Sequence, residues 1–171
     1  MNIFIVHAHP EPQSFTSAMK DAAVADFTAA GHQVVVSDLY AMNWNPVASA
    51  ADFGTRGNAD YMNYALEQRT NADAQTLSAD IVAELEKLEA ADLVIFSFPL
   101  YWFSVPAIMK GWFDRVLVSG RVYGGRRFYD QGGMKGKRAM LALTTGGRDH
   151  MLAEGGIHGD IKSILMPVLQ G

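Results

Sequence analysis

The chain has 171 residues, 49% of them hydrophobic, a formal net charge of -4 and no cysteine. That length and apolar content predict a single domain over residues 1–171, and an acidic balance with a pI near 5.7 argues against general affinity for nucleic acid or anionic membranes. No segment approaches the ~20 apolar residues of a membrane helix, the N-terminal run lacks the basic and apolar regions of a signal peptide, and the lack of cysteine excludes disulfides and thiolate metal sites and fits a reducing cytoplasm.

Ile3 to Val6 is a β-branched and aromatic run that reads as a strand buried on both faces. A loop, His7 to Gln13, follows. Ser14 is a good N-cap, and Phe15, Met19, Ala23, Phe27 and Ala30 recur at helical spacing until Gly31 stops the helix. Val34 to Val36 gives a second strand. Residues 40–75 carry weak periodicity and many Ala, Asn and Asp, so they read as an excursion from the sheet. Ser78 can cap another helix, with Asp80 near its positive end and Leu77, Ile81, Leu85 and Leu88 on one face. Leu93 to Phe98 is a third strand, ended by Pro99, which cannot continue a ladder. A helix over Val105–Leu117, a fourth strand over Ala139–Leu143 and a helix from Asp160 to Leu169, limited by Pro167, complete the chain.

Strands alternating with helices imply βαβ units and a parallel sheet. The best choice of topology is an α/β, flavodoxin-like, doubly wound sheet with its ligand crevice beside the first strand. Such sheets usually have five strands, and four are readable. The fifth lies either in the 40–75 excursion or beyond Gly171; the second alternative, a fold lacking its last strand and helix, is the expectation.

Three strand ends carry chemistry-bearing residues. After the first strand, His7-x-His9 precedes Ser14-Phe15, where the free N–H groups and positive dipole end of a helix make a ready anion site. The same residues would equally serve a plain capped helix with incidental histidines. No GxGxxG or P-loop is present, which argues against a dinucleotide turn and nucleotide hydrolysis. After the third strand come Pro99-Leu100-Tyr101-Trp102-Phe103, three bulky aromatics where a surface turn is normally polar. They could plug the sheet edge, or floor a pocket for a flat ring. After the fourth, Thr144-Thr145-Gly146-Gly147 offers hydroxyls and close backbone approach. Together the three loops describe a cradle for an aromatic ring joined to phosphate. A further loop, Gly155-Gly156-Ile157-His158-Gly159-Asp160, places one histidine among glycines. His7, His9, His150 and His158 are too dispersed for a metal site.

Ser14-Phe15, SDLYAMNWNPV at 37–47, LEAADLVIFSFPLYWFSVPAIMKGWFDRV at 88–116, LTTGG at 143–147 and GIHGDI at 156–161 closely resemble the NAD(P)H:quinone oxidoreductase family over nearly the whole chain. The resemblance implies a flavodoxin-like fold, bound FAD (FMN as the alternative) and a homodimer with active sites at the subunit interface. By position it implies that His9, Ser14 and Phe15 contact the pyrophosphate and ribityl chain. Pro99, Leu100, Tyr101, Trp102 and Phe103 would wall the isoalloxazine, and Thr144, Thr145, Gly146 and Gly147 would lie under its pyrimidine edge. His158 would neutralise charge on the reduced flavin. Trp102, Phe103, Gly146 and His158 are thus the candidate catalytic groups. Tyr123, from the partner subunit, would close a substrate pocket that Met151 also lines. The chain departs from the animal enzymes at Leu152, where they have a relay tyrosine, at Gly125, where they have a second pocket tyrosine, and at Tyr101, where they have glutamine.

The expected chemistry is ping-pong transfer of two electrons from NAD(P)H to a quinone, or to nitro or azo compounds. Two alternatives remain: a flavin-binding ancillary subunit of a potassium-efflux system, and a small FMN electron carrier.

Overall fold

The structure, a computed structural model, describes residues 1–170. Its frame is a parallel sheet of β1 (Asn2–His7), β2 (Gln33–Asp38), β3 (Leu93–Pro99) and β4 (Arg138–Thr144), in the order β2-β1-β3-β4. This is the start of the flavodoxin-like order expected from the sequence. β1 is central and buried from Ile3 onward. Its side chains alternate between two layers, as strand geometry requires. Ile3 and Ile5, with Ile95, face the helix α1 (Phe15–Ala29) through Ala23, Val24 and Phe27. Phe4 and Val6, with Val94, Phe96 and Phe98, face α3 (Ala79–Ala90) and α4 (Ala107–Val116) through Ile81, Leu85, Leu88, Met109, Trp112 and Val116.

Trp112 is fully buried, packs at a tilt against Phe4 and edge-on to Phe96, and donates its Nε1 proton to Glu84 Oε2 at 2.8 Å. Burial of a ring of that size stabilises the fold by roughly 3 kcal/mol, and the hydrogen bond offsets the desolvation of the indole N–H.

The excursion after β2 supplies no strand to this sheet. It holds instead a 3-10 turn, Ala50–Asp52, and a helix, α2 (Tyr64–Ala74), that the sequence reading does not contain. Asn63 caps α2, and its buried residues are Glu67, Gln68, Asn71 and Ala72. A helix that packs through polar side chains has no apolar stripe to read. Each buried polar group is bonded: Glu67 accepts from Gly57 N at 2.7 Å, Gln68 Nε2 donates to Asp114 O at 3.2 Å, and Asn71 Nδ2 donates to Thr55 O at 2.8 Å. Arg115 fastens the excursion to α3 and α4. It is buried, lies 4.6 Å over the Trp44 ring, and pairs with Asp52 and Asp80, each at 2.8 Å.

Other differences are local. Phe15, which shares helical spacing with Met19, Ala23 and Phe27, is 75% exposed, and α1 buries Thr16 and Ser17 at that turn. Ser78 occupies the N-cap of α3 without a capping bond from its hydroxyl. The last helix, α5 (Ile161–Gln170), runs through Pro167 instead of stopping there. His7 is the last residue of β1, not the first of the loop.

Candidate functional site

The carboxyl ends of β1, β3 and β4 meet on one rim, because the three strands run in register side by side: His7 pairs with Ser97, and Pro99 with Thr144.

The first loop turns from β1 into α1. Ser14 caps the helix, its Oγ accepting from Ser17 N at 3.0 Å. The N–H groups of Phe15 and Thr16 have no acceptor among the described residues. His9 Nδ1 lies 3.0 Å from Glu11 N and 3.1 Å from Glu11 O, which holds the ring at the start of the loop and leaves Nε2 without a partner among the described residues. Two open helix N–H groups, a capping hydroxyl and an imidazole therefore share this end of the rim, a geometry suited to an anion.

The second loop is the aromatic turn. Tyr101 and Ser104 exchange both backbone hydrogen bonds at 3.0 Å. The two residues between them, Trp102 and Phe103, have φ of 51° and 61°. That is the geometry of a two-residue primed turn, which ordinarily takes Asn-Gly. Holding a bulky residue there costs of order 1–3 kcal/mol, a strain that persists where function requires it. It projects Trp102 outward, at 95% exposure, rather than into the sheet edge.

The third loop begins at Thr144, which ties the rim together. Its carbonyl accepts from Leu100 N at 2.8 Å, and its Oγ1 lies 2.7 Å from Thr16 Oγ1. Gly147 N donates to Thr145 Oγ1 at 3.0 Å. A Cβ at Gly146 would stand in open space, so this edge admits the close approach of a ring.

A fourth segment carries His158. Its ring centroid is 5.1 Å from that of Phe103, at a 53° tilt, and its N donates to Met151 O at 3.0 Å. Glycines shape the loop that puts it there. Gly155 and Gly159 both have φ of 76°. A Cβ at Gly156 would lie 2.5 Å from His150 O, so only glycine passes. Leu152 is buried beside Gly147 and anchors the segment as an apolar plug.

The rim thus gathers His9, Ser14, Phe15, Pro99–Phe103, Thr144–Gly147, Met151 and His158. It does not gather Tyr123, whose ring lines a hollow of about 430 Å³ with Tyr64, Gln68, Phe113 and Leu117, shared with no rim residue. Thr16, Ser17 and Ser97, buried just behind the rim, are absent from the sequence reading, and His7, which that reading puts in the loop, is buried with them at the end of β1. The signal that marks His7 is a polar residue ending an otherwise apolar buried strand. Among the described residues no group of three or more His, Asp or Glu is arranged to hold a metal ion.

The family model described as flavodoxin-like fold matches residues 1–171. NAD(P)H dehydrogenase (quinone) 1 of Rattus norvegicus is 51% identical over 168 residues, 98% of this chain, and the chain spans 61% of that protein's length. Ribosyldihydronicotinamide dehydrogenase (quinone) of Homo sapiens is 46% identical over 170 residues, covering 99% of this chain and 74% of that protein. Among solved structures, a candidate quinone reductase from Klebsiella pneumoniae is 44% identical with a TM-score of 0.93, covering 100% of this chain and 69% of its own. The NAD(P)H:quinone oxidoreductase from Methanothermobacter marburgensis is 28% identical with a TM-score of 0.75, covering 99% and 77%.

Proposed function

The chain belongs to the flavodoxin-like fold family, among the NAD(P)H:quinone oxidoreductases, and from that premise we propose that it is a flavin-dependent reductase moving two electrons from NAD(P)H to a quinone, or to nitro or azo compounds. The observation that carries this reading is the strained Trp102–Phe103 turn, held outward between an anion-ready helix start and a glycine edge.

The residues present fit a flavin. Phe15 N, Thr16 N, Ser14 and His9 would hold its phosphate end. Pro99 to Phe103 would wall the ring, and Thr144 to Gly147 would admit its polar edge, where Cβ-free space stands at Gly146. FAD is the form the family resemblance implies, with FMN as the alternative. When bound, the flavin would accept hydride from NAD(P)H and pass two electrons to the acceptor in alternate visits.

The protein's own part is orientation and charge. The exposed faces of Trp102 and Phe103 stack the nicotinamide and then the acceptor, one at a time. The backbone N–H groups of Trp102 and Phe103 have no acceptor among the described residues and are fixed in direction by the turn. Preorganised donors of this kind stabilise negative charge without reorganisation. His158, set against Phe103 and pinned by Met151 O, has ring nitrogens free of side-chain hydrogen bonds among the described residues, and so can offer a proton or a positive charge. Leu152 has no hydroxyl, so proton delivery here rests on His158 rather than on a tyrosine relay.

Tyr123 lies in its own hollow, and Phe128 and Tyr129 beside it in sequence are exposed. These support a homodimer in which a second copy brings Tyr123 to the rim. The cysteine-free sequence supports a cytoplasmic setting, and no helix among the described residues is long and apolar enough to cross a membrane. The potassium-efflux reading draws no support from relatives named for quinone reduction.

The test is NADH- and NADPH-dependent reduction of menadione by the purified chain with added flavin. Turnover proportional to bound flavin is expected. Flavin-loaded protein without turnover would overturn the reading.

A further inference from the structure

His7 is 1% exposed and hydrogen-bonded at both ring nitrogens, Nδ1 to Ser97 Oγ at 3.1 Å and Nε2 to Ser17 Oγ at 3.2 Å. The bonds around Ser17 fix which nitrogen carries the proton. Ser17 Oγ donates to Glu11 O at 3.0 Å and accepts from Ser14 Oγ at 2.9 Å. A hydroxyl has a single proton, so Ser17 can only accept from His7. The proton is therefore on Nε2, and Ser97 Oγ donates to Nδ1. Burial holds the ring below the ordinary histidine range, and of the charged neighbours Lys20 and His9 reinforce this while Asp38 and Asp21 oppose it. The imidazole is neutral and its tautomer set.

The consequence reaches the rim. Ser14 gives its proton inward to Ser17 while capping α1. An anion at the open N–H groups of Phe15 and Thr16 would draw that proton outward. Ser17 Oγ is buried, and a buried oxygen left without a donor is costly. The Nε2 proton of His7 keeps it satisfied.

We propose that His7 is a positioning residue for the phosphate-binding end of the site: clamped between Ser97 and Ser17, it holds the first turn of α1 and releases the Ser14 hydroxyl to a phosphoryl group. The ligand class is the phosphate or pyrophosphate of a flavin nucleotide, and to that extent the inference rests on the flavin reading.

The experiment compares the full chain with His7→Leu and with His7→Gln, which keeps a side-chain N–H for Ser17. Affinities are measured for FAD and for riboflavin, which lacks phosphate. Inorganic pyrophosphate is titrated in parallel, followed by the Ser14 to Ser17 amide resonances. The leucine variant is expected to weaken FAD and pyrophosphate about tenfold, the value of one charge-assisted hydrogen bond, with riboflavin unchanged, and glutamine is expected to recover most of the loss. Equal weakening of FAD and riboflavin, unchanged pyrophosphate affinity, or a ¹⁵N spectrum showing the Nδ1–H tautomer would each overturn the proposal. A wild-type chain that takes pyrophosphate but no flavin would sink the flavin reading alone, and one that takes neither would sink both.

Discussion

Phe103 and His158 place their ring centroids 5.1 Å apart, joining the turn after β3 to the glycine loop before α5. Phe103 is in a left-handed conformation, and His158 is held by Met151 O. The pair therefore depends on two backbone devices rather than on a chance packing.

If His158 serves the chemistry, His158→Gln should slow flavin reduction by NADH about tenfold, roughly 1.4 kcal/mol of barrier, while flavin stays bound. Gly156→Ala should slow it comparably, since its Cβ would strike His150 O and Met151 O and displace the loop. Stopped-flow absorbance at the flavin band reads both. An unchanged reduction rate in His158→Gln would remove the residue from the mechanism.

The strained turn predicts opposite effects on stability and activity. Trp102→Asn with Phe103→Gly places the residues a primed turn prefers. Unfolding in urea should require about 1–2 kcal/mol more than wild type, because the strain of two left-handed residues outweighs the partial ring burial lost at Phe103, which is 42% exposed beside a Trp102 at 95%. The Michaelis constant for NADH should rise at least tenfold as the stacking faces vanish. A double variant less stable than wild type would show that the turn is not strained.

Arg115→Met leaves Asp52 and Asp80 without their shared cation. Removing one member of a buried charge set typically costs 3–5 kcal/mol. Asp52 would keep the bond from Tyr64 at 2.6 Å, so about 3 kcal/mol is the expected loss. A urea midpoint close to wild type would contradict the anchoring role given to Arg115.

His7 sets a pH dependence. Its native pKa is lowered by burial, against about 6.5 in an unfolded chain. Between the two values the unfolded chain binds more protons, so stability falls as pH falls. The contribution is whole above about pH 6.5 and is lost as pH drops through the lowered native value. His7→Leu should flatten that part of the pH–stability curve, measured by urea unfolding from pH 7.5 to 5. An unchanged slope would mean that other groups set it.

Much of this was legible in the sequence, for reasons that also explain what was not. The sheet declared itself because β1 and β3 are buried on both faces and read as unbroken apolar runs. The rim declared itself because aromatics followed a proline at a strand end, where packing gave them no reason to be. α2 stayed hidden because Glu67, Gln68 and Asn71 bury it through hydrogen bonds, which leave no hydrophobic period. Helical spacing alone does not place Phe15, which stands exposed at the start of α1. His7 reads as loop because the strand pattern stops at Val6, although the ladder continues through it to Ser97. Tyr123 takes its role from the resemblance, as a residue of the partner subunit, and within one chain it lines another hollow.

The central claim is that the ends of β1, β3 and β4 converge to grip a flavin and leave the Trp102 side open. The most direct measurement is the visible spectrum of the purified chain after incubation with flavin and removal of excess, with the released molecule identified by mass. A yellow protein releasing stoichiometric FAD is the predicted result. A protein that stays colourless with both FAD and FMN, while its far-ultraviolet spectrum shows it folded, would contradict the account.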